Sequence, residues 1–258
     1  MKKTLIEKTS DKLVKAFLDN KLISAIPKKF SKKIVNAQKF RKLCESKVKI
    51  PVAGFKAAGT AIPMIKKLKE KEPFYASIYK SNIIKSGKSV KINKSTLGIE
   101  LEVCYQIKRS FFSSKESITK KNVSKYISHI APCIEIVGYR QIKKGITSFG
   151  DLCSDFGGNV KFLIGRKKKF KKINVSNLKT NITNRNINQS VDGNTNTVFI
   201  NPLNSLRFVL NKVKKDKINL DKDFYVFTGS TVGVVPIKGK GVYTGKINKL
   251  GAVKAKVI

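Results

Sequence analysis

From Val48 onward the apolar residues come in short runs, and each run is interrupted by Gly, Pro, Ser or Asn. Short apolar runs bounded by turn-forming residues are typical of β-strands, because amphipathic helices need longer stretches. Helices are predicted to interrupt this pattern at 121–130 and 202–214. The predicted strands cover 51–55, 89–92, 98–107, 133–137, 160–164, 178–187, 198–200 and 223–228, followed by a closing hairpin of 241–247 and 252–257.

The first part of the chain has a different periodicity. Between residues 5 and 47 apolar residues recur at helical spacing, as at Leu13 and Phe17. The pattern predicts two amphipathic helices that are interrupted near Pro27.

These patterns together predict an α+β fold dominated by mixed or antiparallel sheet. The chain has 258 residues, of which 41% are hydrophobic, so it is long enough and apolar enough to bury a substantial core. We expect an N-terminal helical region over 1–48 and a sheet domain over 49–258.

The charge is extreme, with 55 Lys+Arg against 16 Asp+Glu and a net charge of +39. Only six of the basic residues are Arg, whereas proteins that read nucleic acid by bidentate contacts rely on Arg. The abundance of Lys, Ile and Asn indicates a compositional bias. We therefore expect no specific nucleic-acid partner, and a non-catalytic polyanion-binding protein is the lower-ranked alternative.

No apolar run is long enough to span a membrane, and no apolar segment follows the two lysines at the N-terminus. The sequence therefore predicts a soluble, cytoplasmic protein with no membrane partner. The four cysteines are widely spaced and the chain has one histidine, His129, so neither a zinc site nor a disulfide framework is predicted. We expect buried cysteines and a packed or edge histidine on the predicted helix 121–130.

Three glutamates stand out in this acid-poor chain. Alternation in the predicted strand 98–107 places the carboxylates of Glu100 and Glu102 on one face, where they repel unless a cation neutralises them. Glu135 lies inside the apolar strand 133–137, where an unpaired carboxylate is costly. Oxygen ligands from two strands suit Mg²⁺ or Mn²⁺ with positions left for a substrate. The alternative is that each glutamate pairs with one of the many lysines.

The motif GIELEV at 98–103, followed by APCIEIV at 131–137, resembles the metal-binding pattern of the fumarylacetoacetate hydrolase superfamily. More narrowly, the chain resembles the branch of 2-keto-4-pentenoate hydratases and 4-oxalocrotonate decarboxylases. Five further segments resemble that branch in the same order, namely GFKAAGT at 54–60, DLCSD at 151–155, NPLNS at 201–205, FTGST at 227–231 and the tail at 246–256.

The resemblance implies a mixed β-sheet roll like the C-terminal domain of fumarylacetoacetase, behind the N-terminal helical region. It implies one Mg²⁺ or Mn²⁺ ion held by Glu100, Glu102 and Glu135. Lys56 matches the active-site lysine of the branch. The resemblance further places substrate binding on Thr60, Asp155, Asn159 and Thr228.

The activity implied by the resemblance is that of a hydro-lyase. The C1 carboxylate and C2 oxygen of a short 2-oxo or 2-hydroxydienoate would chelate the ion, and water would add to a 2-hydroxypenta-2,4-dienoate-like substrate to give a 4-hydroxy-2-oxo acid. Decarboxylation or C–C hydrolysis of a related 2-oxo acid is the alternative. Relatives assemble into homo-oligomers, so we expect self-association, and the implied pathway is aromatic catabolism.

The sequence departs from the branch at three places. Ser81 stands where hydratases usually carry an acidic residue, and a serine alone is no general base at neutral pH. The segment FGGN at 156–159 replaces the usual N-A-S-S, and Ala58 replaces a glycine. The metal ligands are therefore intact, whereas the groups expected to move protons and line the pocket are altered.

Overall fold

A computed structural model describes residues 3–142, 148–171 and 173–258. None of the helices in these ranges is both long and apolar enough to cross a membrane. The helices are α1 (Leu5–Asp19), α2 (Ile34–Lys47), α3 (Ile62–Lys67), α4 (Phe149–Ser154) and α5 (Pro202–Lys215). The strands are β1 (Ile23–Ser24), β2 (Val52–Ala58), β3 (Phe74–Tyr79), β4 (Ile83–Lys85), β5 (Ser89–Val90), β6 (Thr96–Ile107), β7 (Ile127–Gly138), β8 (Gln141–Ile142), β9 (Asn159–Ile164), β10 (Lys168–Lys169), β11 (Lys179–Asn184), β12 (Gln189–Asn194), β13 (Phe224–Ser230), β14 (Gly241–Ile247) and β15 (Gly251–Val257).

The largest sheet has the strand order β3-β2-β13-β6-β7-β9-β4, and β10 pairs with β7. It is mixed, because β13 runs parallel to β2 and β4 runs parallel to β9, whereas β6 and β7 are antiparallel. β6 and β7 have 12 residues each and form the centre of the sheet.

A second sheet has the order β12-β11-β14-β15-β5 and packs on one face of the first. The contact is close at Gly245, where an added Cβ atom would lie 2.6 Å from a methyl carbon of Leu101 and 3.4 Å from Ile134. The alternation of β6 therefore buries Ile99, Leu101 and Val103 between the two sheets. Residues 100 and 102 face the opposite side.

The N-terminal helices pack as the amphipathic pattern predicts. Thr4 and Glu7 form a capping box at the start of α1, which satisfies free backbone N–H groups there. Phe17 of α1 stacks on Phe156 with ring centroids 4.2 Å apart, so α1 shares its core with the sheet domain. The division into regions 1–48 and 49–258 stays a prediction.

The α+β fold is confirmed, but two predicted elements are wrong. Over the predicted helix 121–130 only Val123–Tyr126 forms a 3-10 helix, and β7 begins at Ile127. β7 pairs with β6 from Ile127 onward, and this backbone ladder outweighs the weak helical pattern, so His129 lies on a strand. The predicted strand 198–200 is a turn, because Phe199 and Ile200 have φ values of 46° and 70°.

Several elements were not predicted, including the wholly buried β3 and the polar β12. The four cysteines are buried and free, as expected.

Candidate metal centre

The register of β6 and β7 brings the three glutamates together. Glu100 pairs directly with Glu135, and Glu102 pairs with Cys133, two residues further along each strand. Each carboxylate offers one oxygen, and these three oxygens all lie within 4.8 Å of one another. The structure therefore converges the predicted ligands at one point on one face of the sheet.

This cluster is strongly shielded from water. The side chains of Glu102 and Glu135 are fully buried, and Glu100 is half-buried. Burial, followed by repulsion from a neighbouring glutamate, raises the pKa of Glu100 to about 8 and that of Glu102 to about 7. Burial also raises the pKa of Glu135, even though the ammonium of Lys56 opposes the shift.

Lys56 lies beside this cluster, on β2. Its Nζ atom forms an ion pair with Oε1 of Glu135 and donates a hydrogen bond of 3.2 Å to the carbonyl oxygen of Gly157. Burial alone would lower the pKa of Lys56, but the charge of Glu135, supported by Glu100 and Glu102, outweighs burial and raises it. Lys56 is therefore a protonated, positively charged group in a buried position.

Two carboxylate oxygens in the cluster have no hydrogen-bond partner among the residues described, namely Oε1 of Glu102 and Oε2 of Glu135. The other oxygen of Glu102 accepts a hydrogen bond of 2.9 Å from the backbone N–H of Gly229, which fixes its orientation. Buried carboxylate oxygens without partners are costly. Three ionised carboxylates beside one ammonium also leave two negative charges without compensation, which is the charge that one divalent cation would balance. The residues present therefore fit such an ion.

A cavity of about 360 Å³ adjoins the cluster, and Lys56 and Glu100 form part of its wall. Thr60, which the sequence predicts as a substrate-binding residue, also lines this cavity. Most of the remaining wall is apolar, as at Met64, Leu97 and Leu152. The size and lining suit a short, partly apolar molecule with a polar head.

The structure places the other predicted binding residues outside the cavity wall. Thr228 is buried and donates a hydrogen bond of 2.9 Å to the carbonyl oxygen of Val103. Asp155 accepts hydrogen bonds from the backbone N–H and the guanidinium of Arg140, at 2.8 and 3.2 Å. The roles of Thr228 and Asp155 in substrate binding stay predictions, and their contacts hold neighbouring segments in place.

Asn159 is fully buried, and its side-chain amide donates to the carbonyl oxygens of Ser77 and Phe156. These bonds fix the segment that carries Gly157, whose carbonyl oxygen holds Lys56. Phe156 and Gly157 both have positive φ values, 52° and 68°, a conformation that costs energy for phenylalanine. Asn159 therefore acts on the site through this turn, and its contact with substrate stays a prediction.

Ser81 lies outside the cavity wall. It is exposed on a short 3-10 helix, and its carbonyl oxygen accepts a hydrogen bond of 2.6 Å from Nζ of Lys161. Ala58, in contrast, is buried and lines the cavity.

Some cavity residues were missed by the reasoning from sequence. Gly157 contributes to the cavity wall and to the position of Lys56 through its backbone, so no side-chain pattern could identify it. Asp192 lies on β12, which has no apolar alternation to mark it as a strand. Ser230 follows the T-G pair of the FTGST segment at 227–231, but it was not predicted as a binding residue. Gly229 has a positive φ, and Ser230 lines the cavity.

Comparison with solved structures finds proteins of the same fold. Two structures of 4-oxalocrotonate decarboxylase from Pseudomonas putida G7 each match 98% of this chain and 97% of their own. The structure complexed with magnesium and adipate has a TM-score of 0.81 at 17% identity, and the one complexed with calcium and acetate has 0.82 at 18%. Fumarylpyruvate hydrolase from Pseudomonas aeruginosa, in complex with Mn²⁺ and pyruvate, matches 82% of this chain and 92% of its own at 13% identity and a TM-score of 0.57.

The chain matches none of the protein-family models and none of the curated proteins compared with it. The structural matches cover nearly the whole chain, and their identities are low enough that they bear on the fold alone. They agree with the motifs at 54–60, 98–103 and 131–137. The chain has the α+β fold of the fumarylacetoacetate hydrolase superfamily.

Proposed function

We propose that this protein is a divalent-metal-dependent enzyme that acts on a short 2-oxo or 2-hydroxydienoate acid. The observation that carries the proposal is the cluster of Glu100, Glu102 and Glu135, whose oxygens converge beside a cavity and include two buried oxygens without a hydrogen-bond partner among the residues described. The ligands would be oxygens only, which favours Mg²⁺ or Mn²⁺ over zinc or copper. Magnesium and Mn²⁺ in two structures of the same fold support this choice of ion.

When bound, a divalent cation would withdraw electrons from the C1 carboxylate and C2 oxygen of a 2-oxo acid and so favour its enolate. Lys56 contributes a fixed positive charge in the cavity wall, where low polarity strengthens its attraction for an anionic substrate oxygen. Glu135 and the carbonyl oxygen of Gly157 hold the Nζ atom of Lys56 in place. The apolar wall excludes water from the substrate's carbon chain.

The reaction that we favour is hydration of a 2-hydroxypenta-2,4-dienoate-like substrate to a 4-hydroxy-2-oxo acid. The positive charge of Lys56 in the cavity wall would stabilise the dienolate that precedes the addition of water, and a short unbranched carbon chain fits a cavity of about 360 Å³. Decarboxylation of a related 2-oxo acid is the second candidate, since the two structures of 4-oxalocrotonate decarboxylase match nearly the whole chain. C–C hydrolysis ranks lower, because the structure of fumarylpyruvate hydrolase matches less of the chain, 82% at a TM-score of 0.57.

The test is turnover of 2-hydroxypenta-2,4-dienoate, followed by the loss of dienol absorbance with identification of the product. Wild type is compared with Glu102→Gln, in Mg²⁺, in Mn²⁺ and in chelator. Glu72→Gln is the matched control, because Glu72 is exposed and lies outside the cavity wall. We expect metal-dependent hydration in wild type and in the control and its loss in Glu102→Gln. Full activity in chelator would refute the proposal, and CO₂ release from a 2-oxo-enedioate would favour the decarboxylase.

Three further properties stay predictions on the sequence alone: a cytoplasmic location, assembly into a homo-oligomer and the absence of a specific nucleic-acid partner. Polyanion binding remains the lower-ranked alternative. It requires salt-sensitive nucleic-acid affinity that does not change in Glu102→Gln.

A further inference from the structure

The sheet face that carries the glutamates continues as apolar surface in one direction. Next to the pair of Glu100 and Glu135, β6 and β7 pair Gly98 with Val137. Because every second residue of a strand faces the same side, Gly98 and Val137 share the face of the two glutamates, about 7 Å further along the strands. Val137 is buried, and both it and Leu97 line the cavity. A ligand that is held at the glutamates and extends along this face therefore meets Val137.

The segment 231–235, which follows β13, covers the same position from the side of β6. Backbone N–H groups at both ends of this segment donate hydrogen bonds of 2.8 and 2.9 Å to β6, at the residues on either side of Glu100. A Cβ atom added at Gly98 would lie 2.8 Å from Cγ1 of Val234. The side chain of Val234 therefore lies against the strand next to Glu100. Val234 lines the cavity and is 51% exposed, so it stands at the rim.

Leu152 of α4 lies on the opposite side, against the turn that holds Lys56. A Cβ atom added at Gly158 would lie 2.6 Å from Cδ1 of Leu152 and 3.2 Å from the carbonyl oxygen of Gly138, the residue after Val137. Leu152 is half-buried and lines the cavity. It therefore adds a third apolar side chain close to Val137.

Val137, Leu152 and Val234 form what we call the apolar subsite. Among the described residues that line the cavity, the one cationic side chain is Lys56, and its ammonium is already paired with Glu135. A carboxylate brought to the apolar subsite would lose its hydration without gaining a partner there, which is costly. An alkyl chain, in contrast, is stabilised there because it leaves water.

The cavity also has more room than a five-carbon acid fills. Its volume is about 360 Å³. For comparison, an apolar cavity of roughly 150 Å³ is large enough for benzene. There is thus space at the apolar subsite for carbon atoms beyond those of 2-hydroxypenta-2,4-dienoate.

We propose that the cavity selects 2-oxo or 2-hydroxydienoate acids whose far end is an uncharged alkyl or alkenyl chain, longer than that of the five-carbon dienoate, and that the apolar subsite makes this selection. The inference rests on the proposed function, because it places the acid head at the glutamate cluster. It assigns Val137, Leu152 and Val234 as specificity residues that take no part in the reaction. It disfavours substrates with a second carboxylate at the far end.

The experiment uses saturated 2-oxo acids, which lack the dienol that hydration requires. The ligands are 2-oxobutanoate, 2-oxopentanoate, 2-oxohexanoate and the diacid 2-oxohexanedioate, titrated by calorimetry into the full chain with saturating Mn²⁺. We expect each added methylene to tighten binding about threefold to fourfold, the gain from burying one CH₂ group. The diacid should bind at least about tenfold more weakly than 2-oxohexanoate, because its second carboxylate meets the apolar subsite.

Val234→Lys places a cation at the rim of the apolar subsite. It should lower the preference for 2-oxohexanoate over the diacid by about fivefold or more, since the new ammonium attracts the second carboxylate. Val242→Lys is the matched control. Val242 is 40% exposed and lies on β14 outside the cavity wall, so the same substitution adds the same charge away from the ligand. The control should keep the wild-type preference within about twofold.

Leu152→Ala separates the apolar subsite from a general effect on the fold. It should weaken binding of 2-oxohexanoate about fivefold and leave binding of 2-oxobutanoate within about twofold, because the shorter acid does not reach Leu152. Leu68→Ala is the matched control, since Leu68 is also half-buried and packs on the same apolar cluster but lies outside the cavity wall. It should leave both affinities at their wild-type values.

The outcomes separate the two proposals. If no ligand binds in Mn²⁺, the proposed function fails. If 2-oxobutanoate binds but added methylenes bring no gain, or if the diacid binds as tightly as 2-oxohexanoate, the apolar subsite is overturned while the proposed function stands. The same holds if Val234→Lys changes the preference no more than Val242→Lys, or if Leu152→Ala weakens the short and the long acid equally.

Discussion

Replacing Glu102 by Gln is expected to stabilise the metal-free protein, although it removes a proposed metal ligand. Glutamine keeps an oxygen that can accept the hydrogen bond from Gly229 and has nearly the shape of a protonated glutamate. It removes an ionisable group that is fully buried and that lies next to Glu100 and Glu135. The variant therefore mimics the neutral form of Glu102 at every pH.

The magnitude follows from the pKa. Burial, with the charge of Glu100, raises the pKa of Glu102 from 4.5 to about 7. The folded state therefore holds a proton that the unfolded state releases above pH 4.5, so the free energy of unfolding falls as pH rises through this interval. Each pH unit costs about 1.4 kcal/mol, and the whole interval costs about 3 kcal/mol. At pH 8 the metal-free variant should be more stable than wild type by about 2 to 3 kcal/mol, and at pH 4.5 the two should be equal.

The assay is urea unfolding at pH 5, 6, 7 and 8, in chelator and in excess Mn²⁺. The advantage of the variant should shrink with the metal, because an ion at one hundred times its Kd stabilises wild type by about 2.7 kcal/mol and stabilises the variant less. Glu72→Gln removes an exposed carboxylate that pairs with Lys212, so it should differ from wild type by less than about 1 kcal/mol, with or without metal. A metal-free Glu102→Gln protein that is less stable than wild type at pH 8 would refute the assignment of an uncompensated buried charge.

Three other substitutions test the site and its supports. Lys56→Met should lower turnover at least 100-fold. It should also bind Mn²⁺ about tenfold more tightly, because it removes a positive charge beside the glutamates. Weaker binding in a titration with Mn²⁺ would contradict this. Phe17→Ala should lower the free energy of unfolding by about 3 kcal/mol, because it removes the ring that packs on Phe156. A loss of less than about 1 kcal/mol in urea unfolding would show that α1 adds little to the core. Gly54→Ala should destabilise by about 2 to 3 kcal/mol, because its Cβ would lie 2.2 Å from a backbone oxygen of β13; a melting temperature equal to wild type would exclude that close contact.

The sequence predicted the strands that carry the proposed metal ligands because the apolar alternation that marks these strands is local. Strict alternation from Gly98 to Ile107 fixes which side chains share a face, and it places Glu100 and Glu102 together without any tertiary information. The direct pairing of Glu100 with Glu135 depends on the register of β6 and β7, which no local pattern specifies. The resemblance of the motifs to a known family predicted that Glu135 joins Glu100 and Glu102, which periodicity alone did not predict.

The wrong and missing elements have a common physical origin. His129 lies in a stretch whose weak helical pattern competes with a full ladder of bonds to β6, and only the folded sheet decides between them. β12 is polar because it is an edge strand with one solvent-facing side, so its sequence lacks the apolar alternation that marks β6. Asp192 could not be predicted as a cavity residue until that strand was in place.

The many lysines do not compensate the buried glutamates, and this decides between the two interpretations of the three carboxylates. Within the part of the chain that the structure describes, Lys56 pairs with Glu135, and no other lysine or arginine nitrogen lies within 4 Å of a carboxylate in the cluster. A lysine can neutralise a buried carboxylate only if it is buried as well, and each such burial costs several kcal/mol. Surface lysines, however numerous, are screened by water from the cluster. The pairing alternative therefore accounts for Glu135 and leaves Glu100 and Glu102 without a lysine or arginine at ion-pair distance, which is the reason that a bound cation is the simpler account of all three.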